Sequence, residues 1–172
     1  MALEGNRKSS RLPRLIMGER QAVHSSDARV TADKIAQAIE SLEYWEPQRL
    51  DQPFHSKAAS FTINDLQLVA QASTAMRAGA GHSDLLNLEI SYHGLCHGFV
   101  DGKRYDWIPN QQAVFFPEIT GREGASDERS ILMAQFSKKR LTETVQSMLG
   151  AEFKGEICLD INDARELPLQ YG

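Results

Sequence analysis

The side chains able to do chemistry are few and scattered. Of the five histidines, His24, His55, His82, His93 and His97, only the last two stand close together. Four residues apart they would share one face of a helix, but Gly94 follows His93 directly and the surrounding residues alternate as strands do. A turn and a strand are therefore predicted there. No Asp or Glu stands at ligand spacing beside the pair. Two histidines one residue apart with a following glutamate, a metal-holding pattern of small barrels, are also missing, so neither metal nor cofactor is predicted. Nucleophilic catalysis has no better footing. The chain has no Gly-x-Ser-x-Gly elbow, papain-like cysteine context or Ser-x-x-Lys element, and Ser41, Ser60 and Ser137 each have a capping, strand or turn role open to them. Cys96 alternates with Gly98 and Val100, which reads as a small residue on a packed face rather than a reactive thiol. Gly79-Ala80-Gly81 lacks the Lys-Ser/Thr and the following helix of a phosphate loop. The expectation is a protein that is not an enzyme.

What remains is a set of side chains that join an apolar body to a polar tip. Tyr92, His97, Tyr105 and Trp107, with Phe99 among them, fall on alternating positions of neighbouring strands. A small barrel can hold a small molecule between such groups, so these five are the candidate ligand-binding residues. The same residues also suit ordinary core packing with their tips reaching water or backbone. A one-residue slip in register would exchange the interior list for the surface list.

The elements that position them are mostly strands. Leu86, Leu88, Ile90 and Tyr92 alternate with Asn87, Glu89 and Ser91, the period of a half-buried sheet. His93-Gly94 turns the chain, Leu95 to Val100 follows as a strand, Asp101-Gly102 is a two-residue hairpin signal and Lys103 to Ile108 returns. Pro109-Asn110 turns again before the short apolar run from Ala113 to Phe116. Four strands so closely spaced read as an antiparallel meander of a barrel or sandwich. Upstream, Ala59, Phe61 and Ile63 lead through Asn64-Asp65 to Leu66, Leu68, Ala70 and Ala72, another hairpin. Residues 74–83 and 117–129, rich in Gly and polar groups, read as loops. Ser130 to Phe136 is the last confident strand, giving about seven in all.

Two amphipathic helices flank this core. One is predicted from a Thr31 cap to about Tyr44, with Ile35, Ile39 and Leu42 at helical spacing and Pro47 ending it. The other spans 138–149 between a Ser137 N-cap and Gly150, with Leu141, Val145, Met148 and Leu149 as its apolar stripe. A strand over 156–159 and a short helix over 162–167 complete the reading.

The 172 residues suffice for one domain with a core, and 41% apolar with 24% charged residues points to neither disorder nor a membrane span. Cys96 and Cys158 lack paired or ligand spacing, which suits reduced thiols in a cytoplasm. The net charge of −4 argues against nucleic-acid binding by this chain itself. It is unevenly spread: Arg7, Lys8, Arg11, Arg14 and Arg20 against Glu4 and Glu19 make residues 1–20 locally +3, leaving −7 elsewhere. Residues 1–29 are accordingly taken as a flexible basic tail that docks loosely, and 30–172 as the folded domain.

The order of these elements resembles the N-terminal regulatory domain of AraC-family bacterial transcription regulators that carry a helix before the barrel. The likeness runs from Val30 to Gly150. It is carried by the leading helix, Asn64-Asp65-Leu66-Gln67-Leu68, the strands around Gly94 and Asp101-Gly102, Pro109 ahead of Ala113-Val114-Phe115-Phe116-Pro117, and Phe136 through Leu141 to Leu149-Gly150. Where the family commonly shows Pro-Gly, this chain has Pro109-Asn110, and Asn also tolerates the left-handed turn geometry. The resemblance implies a mainly β, cupin-like barrel or jelly roll that senses a small-molecule effector. It also implies a homodimer paired through the following helix, which makes Leu141, Val145 and Met148 the candidate interface residues. DNA would be contacted only through a C-terminal helix-turn-helix domain, which these 172 residues do not contain. A stand-alone small-molecule-binding protein or a metal-dependent cupin enzyme is the alternative.

Overall fold

A computed structural model describes residues 12–116, 121–150 and 157. Among them, eleven strands and two helices follow in order: β1 Val23–Ser25, α1 Ala28–Ala36, β2 Leu42–Pro47, β3 Ser56–Ile63, β4 Leu66–Ser73, β5 Met76–Ala80, β6 Leu85–His93, β7 Cys96–Val100, β8 Lys103–Trp107, β9 Ala113–Phe116, β10 Arg122–Ser126, β11 Arg129–Ser137 and α2 Lys138–Leu149. The predicted elements within 151–172, apart from Ile157, lie outside the described residues.

The strands form two antiparallel sheets, one ordered β1-β3-β4-β11-β6-β9 and the other β2-β5-β10-β7-β8. This jelly-roll arrangement replaces the predicted meander. β6 pairs with β9 and β11, while β7 pairs with β8 and β10, so the chain changes sheet at His93-Gly94 and again before β9. The turn chemistry itself is as read. Asp101 and Gly102 both have positive φ, 50° and 75°, as a hairpin that follows strand twist requires, and Asn64 and Asn110 take the left-handed region at 57° and 59°.

Two predicted loops are strands. β5 lies between β2 and β10, and β10 between β5 and β7, each hydrogen-bonded on both edges. Their sequences, Met-Arg-Ala-Gly-Ala and Arg-Glu-Gly-Ala-Ser, lack β-branched and aromatic residues. Two-sided pairing overrides that weak local preference. Gly79 is small for a reason: the Tyr44 ring occupies the space a Cβ there would need.

The first helix is shorter and earlier than predicted. Asp27, not Thr31, is its N-cap, accepting from the Arg29 amide at 2.9 Å, and the chain is already strand at Tyr44. Thr31 is instead buried and shares a 2.6 Å hydroxyl contact with Ser56. Ile35, Ala38 and Ile39 deliver the helical stretch to the core between the sheets, where Trp45, Val69, Met76, Trp107, Phe116, Ile131 and Met133 pack. The second helix matches its predicted span, with Ser137 Oγ accepting from the Arg140 amide at 3.1 Å and Gly150 at φ 89°.

The segment 12–25, assigned to the loose tail, is docked. β1 adds to the edge of β3, and Leu15, 4% exposed, packs on Ala59, Ala70 and Ala72 of the outer sheet face. Lys57, buried on that same face, is held by Glu19 at 2.5 Å and by the Leu12 carbonyl at 3.4 Å. The apolar alternation of β3 and β4 thus marks the face beneath this arm, not the barrel interior.

Candidate functional site

Register decides what the interior contains. In β6, Asn87 pairs with Gln135, Glu89 with Met133 and Ser91 with Ile131, and directly paired residues share a face. Ile131 and Met133 belong to the core, so the polar side of β6 points inward. Leu86, Leu88, Ile90 and Tyr92 take the outer face, where Phe115 and Phe136 meet edge to face at 5.8 Å. The half-buried reading of this strand is therefore inverted. The reason is that both faces are covered.

Between the sheets lies a cavity of about 60 Å³, lined by Trp45, Trp107 and Phe116 on its apolar side and by Glu89, Arg122 and Arg129 on its charged side. At about 10–15 Å³ per water centre this is room for about four waters or a very small organic molecule. Arg122 enters from β10, its guanidinium stacked 4.5 Å from the Phe116 ring centroid and 3.7 Å from Glu89. The Asn87 amide satisfies both its ends when its oxygen accepts from Arg122 and its nitrogen donates to the Ala134 carbonyl at 3.3 Å. Burial lowers the pKa of Arg122, partly offset by Glu89.

Arg129, only 6% exposed, comes from β11. Its Nε donates to Gln71 Oε1 at 3.0 Å, and no carboxylate among the described residues lies within ion-pair distance of it. Cys96 sits beside Ser91, 3.8 Å from its hydroxyl, and burial pushes its thiol up while the Arg129 charge pulls it down. That environment fits the packed-residue reading of Cys96. Several buried groups have no partner among the described residues, including the indole nitrogens of Trp45 and Trp107 and the Gln71 amide nitrogen.

Of the five candidate ligand residues, Trp107 lines the cavity, its ring lying beside Gly98. Tyr105 is on the same side of β8, packed against the core and beneath the Lys103 ammonium at 5.1 Å. Tyr92, His97 and Phe99 stand on outer faces; His97 and Phe99 touch each other edge to face, and Phe99 is 39% exposed. His93 faces Glu128 at 3.5 Å, not His97. Among the described residues no three His, Cys, Asp or Glu side chains converge as a metal site would need. The charged residues of the cavity escaped the sequence reading because polar positions in an alternating strand look like the solvent face. A usable signal was present: Asn87-x-Glu89-x-Ser91 puts three polar groups in strict alternation.

Of the candidate interface residues, Leu141 and Val145 are half-buried and Met148 is 79% exposed. The helix α2 rests on β11 and is tied by an ion pair from Arg140 to Asp65 at the β3–β4 turn. Among the described residues no helix is long and apolar enough to cross a membrane.

By sequence the chain matches no known family, and no curated protein is significantly similar. By structure it is similar to the AraC-like transcriptional activator CuxR, with a TM-score of 0.56 at 12% identity over 76% of this chain. The match spans 52% of that protein, so the chain corresponds to about half of it. Weaker likenesses include the cupin domain of an XRE-family transcriptional regulator from Enterobacter cloacae, with a TM-score of 0.42 at 9% identity over 47% of this chain and 95% of that one. A cupin-superfamily protein from Desulfitobacterium hafniense gives 0.42 at 12% identity over 52% and 81% of the two chains. Among the described residues, eleven strands in two facing antiparallel sheets, with α1 between β1 and β2 and α2 after β11, make this chain a cupin-like jelly roll.

Proposed function

We propose that this domain is the sensory part of an AraC-like transcription regulator, binding a small effector between its sheets and pairing with a second copy through α2. DNA contact belongs in this reading to a separate C-terminal domain. The single observation that carries it is the internal cavity, lined by the Glu89–Arg122 ion pair, by the buried Arg129 and by Trp45 and Trp107, whose indole nitrogens have no partner among the described residues. Such groups cost stability when nothing satisfies them, and a bound molecule would offset that cost. The exposed Met148 side chain on α2 supports pairing through that helix. The effector changes promoter affinity only by binding the two dimer arrangements unequally. Sensing, not turnover, is the role proposed.

The test is the native gene product. Immunoblotting of source-cell extract should give a band heavier than this chain by a domain of about 100 residues. That protein should retain DNA from its own upstream region with effector-dependent affinity. A product of this chain's own size without DNA affinity would overturn the regulator reading and bring forward the stand-alone binding protein.

A further inference from the structure

Resting on the reading of the cavity as an effector site, we infer that its ligand is a small monoanionic oxyacid, of the size of a short carboxylic acid, held by Arg129. Charge is the first argument. Among the described residues, Glu89, Arg122 and Arg129 are the ionisable side chains that reach the cavity from inward-facing strand positions. Glu123 also borders it, but it pairs with Phe99 on the outward-facing row of β10 and is exposed. One anion against two cations leaves the interior with an excess of one positive charge. Glu89 is already engaged by Arg122 at 3.7 Å, so the excess belongs to Arg129. A guanidinium so deeply buried calls for a counter-charge.

Hydrogen-bonding capacity is the second, independent argument. Arg129 uses Nε on Gln71, and its two Nη groups form the fork that matches a carboxylate. Of the cavity-lining residues, Trp45 and Trp107 carry polar atoms without a partner among the described residues, and both are N–H donors. A site rich in donors and poor in acceptors selects a ligand that brings acceptors. Volume is the third. About 60 Å³ admits acids of roughly two to four carbons and excludes a sugar or nucleotide from full burial.

The experiment is a fluorescence titration of the whole chain, whose only tryptophans are Trp45 and Trp107. Sodium acetate, lactate and pyruvate are compared with lactamide and glycerol, sodium chloride holding the ionic strength constant. The expected result is a saturable change with at least one of the acids and none with the neutral compounds. Arg129→Gln should weaken acid binding by about tenfold or more. Glu89→Gln, which removes the one interior negative charge, should tighten it several-fold. A merely structural role for Glu89 would not give that sign. Circular dichroism checks that each variant folds; if Arg129→Gln does not, Arg129→Lys keeps the charge without the fork and should bind the acid more weakly than the parent chain. Saturation by lactamide or glycerol equal to that by the acids, or Glu89→Gln weakening acid binding, overturns the anion assignment while leaving an effector cavity standing. No saturable change with any compound overturns both.

Discussion

Replacing Glu19 by Gln should release the N-terminal arm without unfolding the barrel. Lys57 projects from β3 onto the outer sheet face, where its side chain is 6% exposed, and Glu19 Oε1 is its ionic partner at 2.5 Å. The substitution removes the counter-charge and leaves the buried ammonium only neutral acceptors among the described residues, the new amide oxygen and the Leu12 carbonyl at 3.4 Å. Breaking a fully buried pair costs about 3–5 kcal/mol and an exposed one about 0–1. Glu19 keeps 36% of its side chain exposed, and water can follow the loosened arm, so about 1–2 kcal/mol is expected here. For a domain of this size that lowers the melting temperature by roughly 2–8 °C. Trypsin should cut after Arg14 and Arg20 several-fold faster, while the emission of the two core tryptophans stays unchanged.

The control is Lys57→Met, which removes the buried charge together with the pair and should cost less than Glu19→Gln or even stabilise. The pH dependence follows from the same contact. The hydrogen bond from Lys57 holds the Glu19 carboxyl below its ordinary value of 4.5. A lowered carboxylate pKa contributes stability that is full above the unfolded value and is lost as pH falls through the folded one, and Glu19→Gln should abolish that acid limb. Equal trypsin sensitivity of parent and variant, or Lys57→Met costing more than Glu19→Gln, would refute the reasoning.

Three further outcomes are expected. Gly102→Ala, at φ 75° in the β7–β8 hairpin, should cost about 1 kcal/mol in denaturant melts, because no side chain meets the new Cβ and only the left-handed backbone is penalised. Met148→Asp, at a side chain 79% exposed, should shift the sedimentation coefficient from dimer to monomer at micromolar concentration while leaving the melting temperature of the barrel nearly unchanged; a parent chain that sediments as a monomer would remove the pairing role from α2. In a Cys158→Ser background, Cys96 should react with an aromatic disulfide reagent only as fast as the domain opens, because the thiol is buried and its pKa is raised.

Local chemistry was legible in the sequence. Asn64, Asp101-Gly102 and Asn110 need only their own backbone preferences to place turns, and Ser137 with Gly150 bounds α2 by capping alone. These fixed most strand ends and, with the order of elements, the jelly-roll class. Three things belonged to the tertiary structure. β5 and β10 exist because neighbours pair with both their edges, a condition their small and polar residues do not announce. The switch of sheets at His93-Gly94 depends on which strand lies beside which, and a turn of that length serves a meander or a crossover equally well. The direction of the interior was hidden for a third reason. Alternation reports two unlike faces, and it identifies the inner one only when the other meets water. Here the arm covers Ala59, Ala70 and Ala72, and Phe115 and Phe136 pack outside β6. The apolar rows could therefore face outward while Asn87, Glu89 and Ser91 turned in to meet Arg122, Arg129 and the cavity.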